Sequence, residues 1–268
     1  MKPIIEVENL SKLYKIGEPG AASLRDSFQY WWYKLSNREM ELQKRSPEAK
    51  YLGLTVKQQG PYPDTFWALR NLTFKVEQGD IVGIIGKNGA GKSTLLKLLA
   101  RLTEPTEGRA VLRGRTASLL EVGTGFHPDL TGRENIYLNG AFLGMRKKEI
   151  DKQLDAIISF AEVERFIDTP VKFYSSGMSM RLAFSVAAHL NADILLMDEV
   201  LEVGDSAFQN KCIEKMRASK EQGRTILFVS HQLTNIQKIC KRVLVLGNTS
   251  IVNDGPTEKV IYNYLNEL

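Results

Sequence analysis

The stretch Gly86-Lys87-Asn88-Gly89-Ala90-Gly91-Lys92-Ser93, with Thr94 behind it, constrains the fold of this 268-residue chain more than any other. An apolar run, Ile81-Val82-Gly83-Ile84-Ile85, leads into it, and Leu95-Leu96-Lys97-Leu98-Leu99 leads out. That order predicts strand, glycine turn and helix, the arrangement of a phosphate-binding loop. Gly86, Gly89 and Gly91 let the backbone turn without Cβ clashes and aim successive N–H groups into one hollow. The positive end of the following helix dipole faces the same hollow. Lys92 then reaches the β- and γ-phosphates, and the Ser93 hydroxyl takes a place on Mg²⁺. A glycine turn that binds nothing is the competing reading, and the flanking strand and helix argue against it. The stretch therefore implies a nucleoside-triphosphate site.

Composition sets limits on the rest. A hydrophobic fraction of 43% and a charged fraction of 25% are those of a soluble globular protein. No run of about 18 apolar residues occurs, so no bilayer span is expected. Met1-Lys2-Pro3-Ile4-Ile5-Glu6 lacks the apolar core of a secretory signal. Two cysteines, Cys212 and Cys240, are too few for a disulfide framework. The net charge of +5, with a pI near 9.0, permits contact with anionic lipid or nucleic acid. The basic residues are scattered, however, which fits a solvated surface.

In chain order, Ile4–Glu8 reads as a first strand, followed by Asn9-Leu10-Ser11-Lys12-Leu13-Tyr14. Residues 17–65 form a different kind of segment that holds two of the three tryptophans. Ser23-Leu24-Arg25-Asp26 has capping-box spacing, and Leu24, Phe28, Trp31, Trp32 and Leu35 recur at helical intervals, predicting a helix over 23–35 with an aromatic face. Two readings of that helix stay open: extra core, or an interfacial helix whose rings meet membrane or sugar. Arg38–Lys50 is charged, and Gln58–Asp64 reads as an irregular loop. Strands are expected at Trp67–Val76, Ile81–Ile85, Ala110–Leu112, Ala117–Leu120, Ile194–Met197, Ile226–Val229 and Val243–Leu246, with a loop at Glu104–Gly108. Helical periodicity fills Gly132–Leu190, and Val260, Ile261, Tyr264, Leu265 and Leu268 mark a last amphipathic helix. The alternation is that of an α/β protein with a mainly parallel sheet and a helical insertion.

Several chemical groups fall in place around the loop. Ile194–Met197 runs into Asp198-Glu199. A carboxylate at that strand end is where Mg²⁺ is held, and Glu199 beside it suits the base that deprotonates an attacking water. Two surface acids capping a helix is the competing reading. In Tyr174-Ser175-Ser176-Gly177-Met178, Ser175 and the Gly177 N–H open a helix and offer an anion site, or a plain serine cap. Ser230-His231-Gln232 follows a strand, which puts His231 at the sheet edge where phosphates lie.

Taken together and in this order, these motifs resemble the ATP-binding subunit of an ABC transporter over Ile4–Ile16 and Trp67–Leu268. The resemblance implies the phosphate-loop ATPase fold of that family: a mainly parallel core sheet, an antiparallel β part and a helical subdomain over 121–190. It makes Gly86–Ser93 the Walker A loop, Asp198 the Walker B acid, Glu199 the catalytic glutamate and His231 the switch histidine on the γ-phosphate. It also makes Tyr174–Met178 the signature loop acting on ATP held by a second copy, and Tyr14 the adenine-stacking ring. Gly204-Asp205 becomes the end of the D-loop, which in this family lies between the two copies. Two departures stand out. The signature reads Y-S-S-G-M rather than L-S-G-G-Q, which changes Ser176 and Met178, and Glu121 stands where the family carries a glutamine near metal and water.

A narrower resemblance covers Leu119–Asn135 and Asp198–Gln209, which are similar to the same regions in exporters of lipid-linked polysaccharide of O-antigen, capsule and teichoic-acid type. Glu121 is a common variant among those exporters, and their extra helix near the first strand is implicated in substrate entry. The resemblance implies ATP and Mg²⁺ as cofactors, a second copy of the chain closing each site, a separate membrane permease, and a peripheral position on the cytoplasmic side of the inner membrane. The block Gly132–Leu190 would pass motion to the permease. No nucleic-acid partner is expected. The rivals are a soluble ABC ATPase acting on nucleic acid or the ribosome, and a small-molecule kinase, which would leave Ser175, Gly177 and His231 without a role.

Overall fold

The computed structural model describes residues 2–16, 58–62, 64–120, 125–198, 205–221 and 223–266. The expectations for the helix over 23–35, for Glu121, for Glu199 and for Gly204 lie outside the described residues. The elements run in the order β1 (Ile5–Lys15), β2 (Thr65–Val76), β3 (Ile81–Ile85), α1 (Lys92–Leu99), β4 (Glu107–Leu112) and β5 (Thr116–Ser118). Then come α2 (Gly132–Phe142), α3 (Lys147–Ala161), two 3-10 turns (Glu164–Phe166 and Val171–Phe173), α4 (Ser176–Ala188) and β6 (Ile194–Asp198). The chain continues through α5 (Ser206–Glu221), β7 (Thr225–Val229), α6 (Leu233–Ile239), β8 (Arg242–Gly247), β9 (Ser250–Pro256) and α7 (Thr257–Asn266).

Six strands form the central sheet in the order β5-β6-β7-β3-β8-β9, parallel except for the β8–β9 hairpin. Because successive side chains in a strand point to opposite faces, each inner strand feeds two cores. Val82, Ile84, Leu196, Leu227, Val229, Leu244 and Leu246 face one side. There they meet Leu95, Leu96, Leu98 and Leu99 of α1 and the apolar face of a three-stranded antiparallel sheet, β2-β1-β4. Ile81, Ile85, Leu195, Met197, Ile226, Phe228, Val243 and Val245 face the other side, against α4 to α7 and the helical part. Helix α1 is thus buried between two sheets, which fixes the loop at its N-terminus.

Three boundaries differ from the sequence reading. β1 does not stop near Glu8 but runs to Lys15, with register shifts between Val7 and Leu13. Asn71 lies in the second shift at φ 54° and Asn9 in the first at φ 49°, a left-handed geometry asparagine tolerates. The first shift keeps both Val7 and Leu10 in the core although they are three residues apart. β4 starts at Glu107, within the stretch expected to be loop, because Gly108 takes φ 75° where a Cβ would strike the backbone of Glu8 and Asn9. β9 was not expected from the sequence at all. Its segment, Ser250-Ile251-Val252-Asn253-Asp254-Gly255-Pro256, ends in turn-forming residues and is an edge strand, paired with β8 through a two-residue turn at Asn248 and Thr249, both at positive φ.

Candidate active site

Strand register puts the chemistry in one row. Ile84 of β3 pairs with Val229 of β7, and Val229 pairs with Asp198 of β6. The loop at Gly86, the Asp198 carboxyl and the Ser230-His231 turn therefore leave the sheet at the same carboxyl edge, where α/β sheets bind ligands. Gly86 is required because a Cβ there would strike the Leu246 carbonyl oxygen. Gly91 is required twice over: its φ is 98°, and a Cβ would lie 2.5 Å from Leu69 Cδ2 and 2.6 Å from the Ala68 carbonyl oxygen. β2 of the antiparallel sheet thus presses on the N-cap of α1 and holds the loop's curvature.

Within the loop, Lys87, Asn88 and Gly89 are exposed, Ala90 and Lys92 are buried, and Gly91 and Thr94 are half-buried. Lys92 is 6% exposed and donates from Nζ to the carbonyl oxygens of Gly86 at 2.8 Å and Lys87 at 3.2 Å. Its ammonium is thereby aimed along the inside of the loop, where it would meet phosphate oxygens. The exposed Ser93 hydroxyl donates to Asp198 Oδ2 at 2.9 Å. Asp198 Oδ1 is buried and has no hydrogen-bond partner. A buried carboxylate oxygen left without a donor is costly, and it is the kind of group a hard divalent cation satisfies. Among the described residues no three His, Cys, Asp or Glu side chains converge on a metal position. A cation here would draw on Ser93, Asp198 and the oxygens of its nucleotide, and the donor set fits Mg²⁺ on those terms.

His231 is exposed in the turn after β7, in which the Gln232 N–H donates to Ser230 Oγ at 3.0 Å. Gln232 Oε1 in turn accepts from Asn235 Nδ2 at 2.8 Å, tying the turn to α6. Tyr14 lies opposite Phe66, two residues along β2 from Ala68, with ring centroids 5.8 Å apart. Lys12 Nζ stands 5.1 Å above the Tyr14 ring and donates to the Glu104 carbonyl oxygen, and burial holds its pKa below the ordinary lysine value. Tyr14 is therefore half-buried among partners of its own strand pair.

Ser175 is the N-cap of α4, and its Oγ accepts from the Met178 N–H at 3.2 Å. A Cβ on Gly177 would meet nothing nearer than Ser175 Oγ at 3.9 Å, and its φ is not in the left-handed region. Among the described residues, neither packing nor backbone requires a glycine there. Tyr174 anchors this loop: its hydroxyl donates to the Phe166 carbonyl oxygen at 2.7 Å, and burial raises its pKa. Asp205 Oδ1 accepts from the Phe208 N–H at 2.9 Å and caps α5. The structure thus brings Gly86–Thr94, Asp198 and His231 to one edge and assigns Ser175, Gly177 and Asp205 to the starts of α4 and α5.

Sequence reasoning missed Asn135. This residue is fully buried in α2, and its Nδ2 lies within 3.0 Å of the carbonyl oxygens of His127, Leu130 and Thr131. Its Oδ1 accepts from the His127 N–H at 2.7 Å, so one side chain holds the loop that enters α2. The available signal was an asparagine next to Ile136 on the inner side of a helix, where Asn139 is buried as well.

Fold and site together define a phosphate-loop nucleoside triphosphatase. A family model described as ABC transporter matches residues 69–202. Two O-antigen export system ATP-binding proteins RfbB of Klebsiella pneumoniae are similar to the chain. One is 50% identical over 74% of this chain and 81% of its own length, the other 42% identical over 98% of each. The teichoic acids export ATP-binding protein TagH of Enterococcus faecalis is 44% identical over 86% of this chain and 51% of its own length. Among solved structures, the ATP-binding subunit of an ABC transporter superposes with a TM-score of 0.70 at 21% identity, covering 97% of this chain and 93% of that one. A dimeric ATP-binding cassette in a post-hydrolysis state with ADP and phosphate superposes with a TM-score of 0.68 at 21% identity, covering 94% and 98%. The chain belongs to the ABC transporter family, and it is an ATP-hydrolysing cassette.

Proposed function

We infer that the chain powers export of a lipid-linked polysaccharide, hydrolysing ATP as a pair of copies bound to a separate membrane permease on the cytoplasmic face of the membrane. The observation that carries the substrate class is the 42% identity, over 98% of both chains, to a protein named for O-antigen export. The teichoic-acid relatives point to the same chemical class, a polymer of sugar or polyol phosphate on a carrier. Among the described residues no helix is long and apolar enough to cross a membrane, and in this reading the passage for the polymer belongs to the permease. Exposed Leu138, Phe142, Phe166 and Phe173 on the helical part offer apolar area for such a partner.

At the site, Lys92 and the loop N–H groups bind and orient the phosphates. Ser93 and Asp198 would hold Mg²⁺, which would supply neutralisation of phosphate charge when bound. Glu199 takes the proton of the attacking water, and His231 contacts the γ-phosphate from the next strand end. Ser175 and Gly177 close over the ATP of the second copy, a reading supported by the open space around Gly177. Glu121 keeps its assignment to the position beside metal and water, Tyr14 to the adenine, and Asp205 to the face between copies.

The test is genetic and chemical together. Cells lacking the chain should retain lipid-linked polysaccharide inside, the parent gene should restore export, and Glu199→Gln should not. The purified Glu199→Gln chain should bind ATP and turn it over at least about 10²-fold more slowly, since an amide cannot accept the water's proton. Normal polysaccharide export without the chain would overturn the substrate reading, and near-parent hydrolysis by Glu199→Gln would overturn the assignment of the base.

A further inference from the structure

Helices α3, α4 and α5 meet at a buried aromatic cluster. Phe160 of α3, Phe184 of α4 and Phe208 of α5 have ring centroids 5.6 to 6.5 Å apart. Over this cluster lies one carboxylate shared by two cations. Glu162 Oε2 accepts from Arg181 Nη1 of α4 at 3.2 Å, and Glu162 Oε1 accepts from Lys211 Nζ of α5 at 3.1 Å. The cations are themselves seated on the cluster, Arg181 at 5.9 Å from the Phe208 centroid and Lys211 at 5.0 Å from that of Phe160. Lys211 also donates to the Phe160 carbonyl oxygen at 3.1 Å, capping the C-terminus of α3.

The backbone at Glu162 makes this bridge informative. Glu162 ends α3 at φ 58° and ψ 43°, the left-handed position where helices favour glycine. Its own N–H makes only a 3.4 Å bond to the Ser159 carbonyl oxygen. A glutamate there carries backbone strain. The side chain is 53% exposed, and ion pairs that exposed contribute little to stability. Stability alone would therefore place glycine at this position, so the carboxylate has another use.

The two helices it joins are the ones whose N-termini carry Ser175 and Asp205. Asp205 caps α5 through the Phe208 N–H, and Phe208 is the ring under Arg181, so a chain of contacts runs from the Asp205 cap through Phe208 and Arg181 to the bridge and to α4, which Ser175 caps. We propose that Glu162 is a positioning residue for ATP hydrolysis: it fixes α4 relative to α5, and so sets where Ser175 and Gly177 stand relative to the Asp205 end when two copies close on ATP. The proposal rests on the reading of Ser175 and Gly177 as the loop that acts on the second copy's nucleotide.

Glu162→Gly and Glu162→Gln test it, measured on the 268-residue chain for thermal midpoint, kcat and KM for ATP, with Ser175→Ala in parallel. Glycine relieves the backbone and removes the bridge; glutamine keeps the size and removes the charge. Turnover should fall roughly tenfold in both, as expected when a catalytic group is misplaced slightly. KM should stay within about twofold because the phosphate loop is untouched, and the midpoint of Glu162→Gly should equal or exceed the parent's. Parent-like turnover in both variants, with Ser175→Ala impaired, overturns the proposal alone. Glycine restoring turnover and stability together would make Glu162 merely structural and overturn it too. Full turnover in Ser175→Ala overturns the reading beneath it, and the proposal with it.

Discussion

Asp198 combines one oxygen satisfied by Ser93 with one buried and unpartnered, and in the absence of a cation that unmet acceptor costs about 1–3 kcal/mol. A site that carries such a cost is poised for a ligand, and the ligand should return the cost as stability. A tenfold tighter binding of ATP with Mg²⁺ than of ATP in chelator corresponds to about 1.4 kcal/mol. For a domain of this size that is roughly 3 °C in thermal midpoint. The parent chain should show that gap between ATP with Mg²⁺ and ATP with EDTA, and Asp198→Asn should close it while ATP in EDTA still stabilises. An undiminished gap in Asp198→Asn would remove Asp198 from the cation site. Single residues of this kind were legible in the sequence because their chemistry is local: Lys92 and Ser93 follow from glycine spacing, and Asp198 from an apolar strand that ends in an acid. Asn135 and Glu162 were not, since a buried asparagine reads as a polar position on a helix and a bridge between three helices has no spacing in the chain.

At the scale of elements, the sheet was legible where strands are buried on both faces, as in Ile81–Ile85 and Thr225–Val229, because continuous apolar runs leave little choice. β1 and β9 were not, since a bulge at Asn9 breaks the alternation and β9 is half-exposed at an edge. Packing of α6 on β3 shows what the apolar run conceals. Gly83 is central in β3, and a Cβ there would lie 3.0 Å from Ile236 Cγ2, 3.1 Å from its Cδ1 and 3.2 Å from Cys240 Sγ. The glycine lets α6 approach the sheet closely, and α6 begins just after His231. Gly83→Ala should therefore cost about 1–3 kcal/mol through overpacking. Ile236→Val in the same chain, by removing the Cδ1 methyl, should recover part of that loss, so urea unfolding of both singles and the double should be non-additive. Additive losses would mean that the helix does not sit on Gly83 as described.

At the scale of the molecule, the groups assigned to ATP fall on separate elements. Lys92, Ser93, Asp198 and His231 share one sheet edge, whereas Ser175 and Gly177 open a separate helix, and among the described residues nothing requires the glycine. If two copies complete each other, each ATP sits between one copy's Lys92 and the other's Ser175, and the two sites are built from different pairs of surfaces. Lys92→Ala and Ser175→Ala chains should then each be defective alone, because every site in either pair carries a lesion. Mixed with each other, they form pairs in which one site carries both lesions and the other carries none. At equal amounts with free exchange, half the pairs are mixed and one site in two is intact, so about a quarter of parent turnover should return on mixing. The measurement is ATP hydrolysis of each variant alone, of the mixture after exchange, and of the mixture after crosslinking each variant to itself, which should abolish the gain. No gain on mixing despite demonstrated exchange would refute independent sites shared between copies. It would leave Lys92 and Ser175 acting either within one chain or in sites that fire only together.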